Sequence, residues 1–501
     1  MIGRRRTGGP GRHNGSMQRI TSATAAGLFD IAATRRIEQA AAAALPAHTL
    51  MQRAGLAVAR LAMALAPHAR TVWVACGPGN NGGDGFEAAA QLRRRGFSPV
   101  VTFAGDEGRL PPDARASLQR ARDAGVLLAP QPPVACELAI DALLGIGASR
   151  APEGAMADWL RQMHAGGQPV LAVDVPSGLD ADTGVLSWTG TPASSVRACL
   201  SFLTLKPGLF TAQGRDAAGT VWFDDLGCGH LTERPIARLA GAPATGARAH
   251  ASHKGSYGDV AVIGGAPGMA GAALLAGSAA LHAGAGRVFV GLLDPGAAAV
   301  DGTQPELMLR DADALDVSGM AVVCGCGGGT AVRAWLPRVM ASAAALVLDA
   351  DALNAVAADG DLQQQLAARA TRAQATVITP HPLEAARLLG CTAGAIQADR
   401  LAAARALAAR FQVVAVLKGS GTVTADAADG PVVINLTGDA RLATAGTGDV
   451  LAGMIGAALA ARQPAFDAAH EAVWRHGRIA DTWPADAAPL TAGALARRAP
   501  A

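Results

Sequence analysis

One short segment, VWVACGPGNNGGDGFEAA at residues 72–89, is crowded with glycine, asparagine and aspartate. The spacing of Gly77, Gly79 and Gly82 satisfies the dinucleotide-binding pattern G-x-G-x-x-G after a strand-like apolar run. Asp84 argues against a bound phosphate, however, because a carboxylate repels an anion. The amide and carboxylate oxygens favour a hard cation, or the hydroxyls and amide of a polar ligand. A tight turn in which Asp84 caps a helix is the simpler alternative.

Polar side chains also end two further apolar runs. Asp141 ends the strand predicted in LAIDALLG, and Asp174 ends the one in VLAVDVPSG, with Ser177 three residues later. Ligands of open α/β sheets bind at the carboxyl ends of strands, so these residues and Asn81 are expected to converge on one crevice.

The second half of the chain has phosphate-binding features of a different kind. Gly446–Asp449 form a glycine-rich turn that opens an apolar helix within residues 435–459, where free N–H groups favour a phosphoryl group. Asp449 would take the proton of an attacking hydroxyl. VLKGSGTV at 416–423 predicts a second nest, with Lys418 as its cation. Each turn alone could be an ordinary connection, but together they indicate a ribokinase-like nucleotide site, and no Walker A sequence occurs.

His381 lies between two prolines in TPHPLEAARLLG, residues 379–390, directly after a predicted strand. A lone histidine is more often structural, but this position at the ligand edge of a sheet favours ligand contact. Asp351, in LDADALN, is either at that same edge or a cap of the next helix.

Elements that could position these residues follow from the pattern of the chain. Apolar runs alternate with alanine-rich helical stretches over 501 residues, which predicts parallel βαβ units in two or more α/β domains. A net charge of +3 gives little long-range electric field, so nothing argues for nucleic acid or an anionic membrane as the main partner, and neither is expected. The uncharged run at 260–281 predicts a buried strand, a turn and a small-residue helix. Seven cysteines without a C-x-x-C pair favour a reducing cytoplasm.

The first half resembles the NAD(P)H-hydrate epimerase family, the YjeF N-terminal domain, over residues 20–226. The motifs that carry the resemblance are LMQRAG (50–55), GPGNNGGDG (77–85), DALLGIG (141–147) and VDVPSGLDADTG (173–184). The resemblance implies a Rossmann-like three-layer fold and a potassium ion on Asn81, Asp141 and Ser177. It also implies a site for the hydrated nicotinamide nucleotide, made by Asp174 and two loops: Asn80, Asn81, Gly82, Gly83 and Asp84, then Gly145, Ile146, Gly147, Ala148, Ser149, Arg150 and Ala151.

The second half resembles the ADP-dependent NAD(P)H-hydrate dehydratase family, a ribokinase-like fold, over residues 249–497. The motifs are KGSYGDVAVIGG (254–265), QPELM (304–308), LDADALN (348–354), LKGSGT (417–422) and ATAGTGDVLAG (443–453). The resemblance implies that the adenine nucleotide binds at Lys418, Gly419, Ser420, Gly421, Thr422 and Gly448. It implies that the hydrated dinucleotide contacts Ala273, Gly327, His381 and Asp449.

Two positions depart from the usual pattern of this second family. GCGGG at 325–329 stands where the family usually has P-G-L-G, which affects the assignment of Gly327. Leu383 replaces the glycine of T-P-H-P-G-E, a change expected to alter only a local turn.

The sequence therefore predicts a bifunctional enzyme in which Asp174 assists epimerisation of NAD(P)H hydrate and Asp449 assists its ADP-dependent dehydration. Magnesium is expected on the nucleotide phosphates. A disordered basic tail at 1–19, a linker at 227–248 and a cytoplasmic homo-oligomer acting on small molecules complete the expectation. The rival interpretation is a small-alcohol kinase of ribokinase-like fold with a non-catalytic binding or scaffold domain.

Overall fold

The computed structural model describes residues 17–147, 151–188, 196–229, 233–244, 249–297, 299–428 and 430–500. The chain forms two compact units. One is built mainly from Gly27–Leu209 and Gln213–Pro235, and the other from Ile236–Ala501 together with the short segments Thr21–Ala26 and Phe210–Ala212. The predicted tail lies outside the described residues up to residue 16, and its end belongs to a short strand.

Elements up to residue 224 alternate between strand and helix, as predicted. In chain order they are β1 (Gln18–Arg19), β2 (Ala25–Leu28), α1 (Ile31–Ala43), α2 (Thr49–Leu65), β3 (Thr71–Cys76), α3 (Asn80–Arg93), β4 (Ser98–Phe103), α4 (Pro112–Asp123), β5 (Leu127–Leu128), β6 (Leu138–Ala142), α5 (Ala155–Ala165), β7 (Val170–Val173), β8 (Arg197–Phe202), α6 (Gly214–Ala218) and β9 (Thr220–Asp224).

The first unit contains an eight-stranded sheet in the order β1-β9-β8-β7-β6-β3-β4-β5. Its strands are parallel except for the pairing of β1 with β9. Alternate residues of β3 face opposite layers, since Val72 and Val74 join one apolar cluster while Trp73 joins the other with Trp159 of α5. Helices therefore cover both faces, which confirms the expected three-layer α/β architecture.

The second unit continues the alternation. Its elements are β10 (Ala237–Ala240), β11 (Asp259–Gly264), α7 (Ala270–His282), β12 (Arg287–Leu292), β13 (Met308–Asp311), β14 (Ala321–Cys324), α8 (Leu336–Ser342), β15 (Ala345–Leu348), α9 (Ala350–Ala357), α10 (Gly360–Thr371), β16 (Thr376–Ile378), α11 (Pro382–Leu389), α12 (Ala393–Ala398), α13 (Arg400–Phe411), β17 (Val414–Leu417), β18 (Val423–Ala425), β19 (Val432–Ile434), α14 (Thr447–Ala460), α15 (Ala465–Asp481) and α16 (Ala492–Ala496).

These strands form a sheet in the order β13-β12-β11-β14-β15-β16-β17-β18-β19-β10, with β2 at its edge. The run from β13 to β17 is parallel, and β18 is antiparallel to both of its neighbours. The α/β class is thus confirmed here as well. The segment predicted as a linker, 227–248, includes β10, which pairs with β19.

Alanine and glycine make this second core possible. Helices α7 and α14 pack so closely that a Cβ added at Gly453 would lie 2.1 Å from the carbonyl oxygen of Ala276. The uncharged run at 260–281 is a strand, a turn and a buried helix, as predicted. Among the described residues no helix combines the length and apolarity needed to cross a bilayer. All seven cysteines are free.

Candidate active sites

The segment predicted to be a loop at Asn80–Asp84 is instead the first turn of α3. Gly79 is the N-cap and no side chain caps the helix, so Asp84 does not have the capping role considered for it. The helix can begin this early because of a close steric fit at Gly82. A Cβ at Gly82 would lie 2.0 Å from the carbonyl oxygen of Gly77, so glycine lets the helix start directly against the end of β3.

A cavity of about 660 Å³ opens at this edge of the first unit. The predicted residues that line it are Asn80, Asn81, Asp84, Gly145, Ile146, Gly147 and Asp174. Gly82 and Gly83 are buried in α3 and do not line it. Ala151 is exposed and also lies outside the lining. Ala148, Ser149 and Arg150 fall outside the described residues.

Asp174 follows β7 and is held by a lysine from beyond the neighbouring strand β8. The Nζ of Lys206 lies 2.5 Å from Oδ1 of Asp174, and the N–H of Phe202 donates to the same oxygen at 3.2 Å. The Lys206 side chain is fully buried, whereas that of Asp174 keeps 13% exposure. Both residues line the cavity, but only the carboxylate of Asp174 keeps measurable exposure.

The backbone of Asp174 also has an uncommon conformation. Its φ of +64° is in the left-handed region, which costs a non-glycine residue roughly 1 kcal/mol. The ion pair with Lys206 and the bond from Phe202 hold the side chain in this conformation. Strain of this kind is typical of sites at which the direction of one side chain matters.

Two more carboxyl groups face the same cavity. Burial raises the pKa of Asp84 well above its usual range, and the negative charge of Asp174 raises it further. Burial likewise raises the pKa of Glu38, again with a contribution from Asp174. Both groups are thereby shifted towards the protonated form, and they surround Asp174 with possible proton donors.

Asp141 and Ser177 meet as expected. The hydroxyl of Ser177 donates to Oδ1 of Asp141 at 2.5 Å, and the Ser177 N–H donates to Oδ2 at 2.9 Å. Asp141 is 2% exposed, and in the described part of the chain no lysine or arginine pairs with it. Asn81 is 9% exposed, and its Nδ2 has no hydrogen-bond partner among the residues that the structure describes. The carboxylate of Asp141, the hydroxyl of Ser177 and the amide oxygen of Asn81 form an oxygen-rich set that would suit a hard monovalent cation.

The second unit gathers its polar groups at the ends of four adjacent parallel strands. Cys326 follows β14, Asp349 follows β15, Thr379 follows β16 and Lys418 follows β17. The Nζ of Lys418 lies 2.7 Å from Oδ1 of Asp349, which also accepts from the Thr379 hydroxyl at 2.9 Å. Asp349 was not predicted as a site residue, yet it anchors the cluster.

Asp449 lies in the first turn of α14, whose N-cap is Gly446 at a φ of +90°. Burial raises the pKa of Asp449 to about 6, and the charge of Asp349 adds to the rise. The Cys326 thiol donates to the carboxylate and opposes it. Ligand atoms of Cys326, Asp349 and Asp449 all lie within 4.8 Å of one another. A pKa near 6 suits a general base at neutral pH.

The predicted nucleotide residues lie beside this carboxylate. A Cβ at Gly448 would be 3.3 Å from Nζ of Lys418, so the helix start and the lysine face one another. Gly419 and Gly421 have φ of +131° and +61°, which turns the chain sharply after β17. The structure therefore brings together the two glycine-rich turns that the sequence treated separately.

Three glycines of the unusual GCGGG turn at 325–329 adopt backbone conformations that favour glycine. Gly325, Gly327 and Gly329 all have positive φ, and the N–H of Gly329 donates to Asp351 at 2.8 Å. Asp351 thus ties this turn to α9. Ala273 is fully buried in the apolar core of α7, so its contact with the dinucleotide, like that of Gly327, stays a prediction.

His381 has a structural role, which the sequence analysis considered as the alternative to ligand contact. It is the N-cap of α11, where its Nδ1 accepts from the N–H of Leu383 at 3.1 Å and of Glu384 at 3.4 Å. Its Nε2 lies 3.3 Å from Oε1 of Glu384, and its side chain keeps 46% exposure. Contact between His381 and a ligand stays a prediction.

Lysine usage is the signal that could have found Lys206. The chain has 43 basic residues, but only Lys206, Lys254 and Lys418 are lysines. Two of these three lie beside aspartates in the two sites, Lys206 fully buried and Lys418 19% exposed, while Lys254 is exposed. In a chain that otherwise uses arginine, a lysine marks a place where a compact ammonium group is needed.

Family comparisons match each half separately. Residues 47–208 match the family described as YjeF-related protein N-terminus, and residues 260–500 match the family described as NAD(P)H-hydrate dehydratase. Both stretches contain the site described above for their unit. The resemblances read from the motifs are thereby confirmed.

One of the relatives below covers most of the chain, and the two others cover half of it. The bifunctional NAD(P)H-hydrate repair enzyme Nnr of Escherichia coli is 36% identical over 458 residues, covering 87% of this chain and 85% of that protein. The ADP-dependent (S)-NAD(P)H-hydrate dehydratase of Neisseria meningitidis is 44% identical, covering 50% of this chain and 85% of that protein. A Bacillus subtilis ADP/ATP-dependent NAD(P)H-hydrate dehydratase, co-crystallised with ATP/Mg²⁺, is 31% identical with a TM-score of 0.41, covering 50% and 90%.

Proposed function

Because the chain belongs to the family of bifunctional NAD(P)H-hydrate repair enzymes, we propose that its first unit epimerises the hydrates of NADH and NADPH and its second dehydrates the S form with ADP. The observation that carries the proposal is the presence of a buried aspartate–lysine site in each unit, at the carboxyl ends of parallel strands. The proposed domain bounds are 20–226 and 249–497.

In the first unit Asp174 is the group that moves a proton. It would accept the proton of the C6 hydroxyl as the hydrated ring opens, and return it as the ring closes on the opposite face. Lys206 stabilises the carboxylate and fixes its direction. Asp84 and Glu38, shifted towards their protonated forms, would donate hydrogen bonds to the hydroxyls and amide of the substrate.

Asn81, Asp141 and Ser177 would hold potassium in the same unit. The fit rests on the oxygen donors of the set and on the buried charge of Asp141. The ion would supply positive charge to order the substrate beside Asp174. Ser177 donates both its hydroxyl and its backbone N–H to Asp141 and so holds two of the three residues together.

In the second unit Asp449 would deprotonate the C6 hydroxyl of the S hydrate. The hydroxyl oxygen then attacks the β-phosphorus of ADP and AMP leaves. Loss of phosphate from C6 together with a proton from C5 then forms the C5=C6 double bond of the dihydronicotinamide. The backbone turn around Gly448 lies beside the ammonium of Lys418, and both would face the transferred group. Magnesium would supply charge to the nucleotide phosphates, near the carboxylates of Asp349 and Asp449.

The decisive experiment supplies the purified chain with both hydrate epimers of NADH, ADP, magnesium and potassium, and follows dihydronicotinamide absorbance. Wild type is expected to recover all of the cofactor. Asp174→Asn should recover only the S share, and Asp449→Asn none. The exposed Asp158→Asn is a matched control that should behave as wild type.

Other outcomes discriminate the rivals. No recovery with ADP or ATP would leave the small-alcohol kinase as the better account. Full recovery by Asp174→Asn would favour a scaffold role for the first unit.

Cytoplasmic location and a homo-oligomeric state are also proposed. Seven free cysteines support a reducing compartment. Sedimentation of the purified chain tests the oligomeric state.

A further inference from the structure

Arg400, the first residue of α13, is a buried cation in the second unit. It is 1% exposed, and in the described part of the chain no carboxylate pairs with it. Its guanidinium donates to four neutral oxygens, those of Thr211 Oγ1, Gln397 Oε1, Leu417 O and Lys418 O, at 3.1, 2.7, 3.2 and 3.1 Å. A buried charge without a counter-ion is costly, so its presence calls for a compensating role.

The loop Lys418–Gly421 passes directly over this guanidinium. A Cβ at Gly419 would lie 3.1 Å from both terminal nitrogens of Arg400, so glycine is required where the chain crosses the cation. Gly419 also has a φ of +131°, a conformation that side-chain-bearing residues rarely adopt.

Arg400 is also linked to a second tie on the same loop. It donates to Thr211, whose hydroxyl in turn lies 3.3 Å from the carbonyl oxygen of Ser420 and 3.2 Å from that of Gly421. The N–H of Ala212 donates to the Ser420 carbonyl as well. Together with the two bonds from the guanidinium, these contacts hold four carbonyls of residues 417–421 inward.

The amide groups of this loop are left without protein partners. Within the part of the chain that the structure describes, the N–H groups of Gly419, Ser420 and Gly421 donate to no other group. Three successive unpaired N–H groups, with the carbonyls of Ser420 and Gly421 held inward and a cation beneath, form a concave anion-binding nest.

Arg369, a second buried arginine, serves for comparison because its hydrogen bonds have a purely structural role. Arg369 is fully buried and likewise donates to neutral oxygens, those of Thr376, Met340, Ala343 and Ala375. Burial lowers the pKa of both arginines to about 10, so both stay charged at neutral pH. The acceptors of Arg369 lie in or next to α8 and β16, whereas those of Arg400 include a carbonyl of the glycine-rich loop.

We propose that Arg400 is a positioning residue for the nucleotide, which orients the Gly419–Gly421 amides towards the phosphates of a nucleoside diphosphate and places a positive charge beneath them. This inference rests on the proposed dehydratase function of the second unit. Arg400 acts through the loop, since the backbone of Gly419 lies between it and the nest.

The test is the dissociation constant of Mg-ADP, measured by calorimetry without hydrate on the full chain and on three variants. Arg400→Met should raise the constant on the order of tenfold or more, since it loses both the charge and the bonds to the loop. Arg400→Lys keeps the charge and should give a smaller rise. Arg369→Met is the matched control. It should lower the unfolding temperature as Arg400→Met does, yet change ADP affinity less than twofold.

The outcomes separate the inference from the function beneath it. Unchanged ADP affinity in folded Arg400→Met overturns the inference, as does an equal loss of affinity in Arg369→Met. If Arg400→Met does not fold, Arg400→Lys decides, because a raised constant supports the proposal and an unchanged one overturns it. Failure of the wild-type chain to bind ADP or ATP would instead overturn the proposed function.

Discussion

The two candidate sites use the same pair of residue types but connect them differently. In the first unit Lys206 pairs directly with Asp174, the carboxylate proposed to move a proton. In the second, Lys418 pairs with Asp349, and Asp449 has instead the weaker hydrogen bond from a thiol. The proposed catalytic carboxylate of the first unit is therefore held by a lysine. That of the second unit has no lysine as its direct partner, and burial raises its pKa.

The space around the two carboxylates also differs, since Asp174 faces an open cavity and Asp449 lies in a compact cluster. Asp174 faces a cavity of about 660 Å³ with Glu38 and Asp84 around it, which leaves room for a ring to open and close. Asp449 is in a compact cluster whose ligand atoms lie within 4.8 Å. We infer that the first site must accommodate a change of substrate shape, and the second must align one hydroxyl with one phosphorus.

Exchanging each lysine for methionine should give the largest effects. Lys206→Met should lower epimerisation on the order of 100-fold and leave dehydration of the S hydrate intact, because Asp174 loses its buried partner. Lys418→Met should do the reverse. Chromatographic separation of the epimers measures the first activity, and absorbance with ADP measures the second.

Lys254→Met, at the exposed lysine, is the control for this exchange and should leave both activities unchanged. Loss of both activities in either buried variant would mean that the two sites are not independent.

The pH dependence should separate the two activities next. Asp449 acts as a base only when ionised, and its pKa is about 6. The rate of dehydration should therefore be constant above that pH and fall about tenfold for each unit below it. Stopped-flow kinetics with saturating ADP measures this limb. A rate that rises as pH falls would contradict the assignment of Asp449 as base.

A smaller shift should follow from removing the thiol. Cys326 donates to Asp449 and favours its ionised form, so Cys326→Ala should raise the pKa of Asp449 and move the acid limb to higher pH, by about half a unit. Cys324, at the end of β14, is also buried but is not among the groups that shift the pKa of Asp449, so Cys324→Ala should leave the limb in place. Equal shifts in both variants would indicate a general packing effect.

The smallest effect concerns Leu383, which stands where the second family usually has glycine. The residue is 47% exposed in the first turn of α11, so Leu383→Gly should cost about 0.5–1 kcal/mol of unfolding free energy through backbone entropy. Denaturant titration measures the cost, and neither activity should change. A loss of dehydration would place this turn in the site.

Much of the architecture could be predicted because it is written in local patterns. Apolar runs alternating with alanine-rich stretches predicted the parallel sheets, and the uncharged run at 260–281 was identified as a strand and a helix. Asp141, Asp174 and Asp449 could be found because each directly ends a strand or opens a helix. The start of α3 at Asn80 was mistaken for a loop, because its glycines serve close packing against Gly77 rather than a turn.

The sequence by itself determined which residues could do chemistry and at which sheet edge they lie, since strand ends and glycine turns are local properties. Only the tertiary structure decided which groups pair. Lys206 reaches Asp174 across 32 positions, Lys418 reaches Asp349 across 69, and Arg400 lies beneath a loop 18 positions further on. These pairings depend on which strands are neighbours in the sheet, and burial, which raises the pKa of Asp449, exists only once those strands have packed.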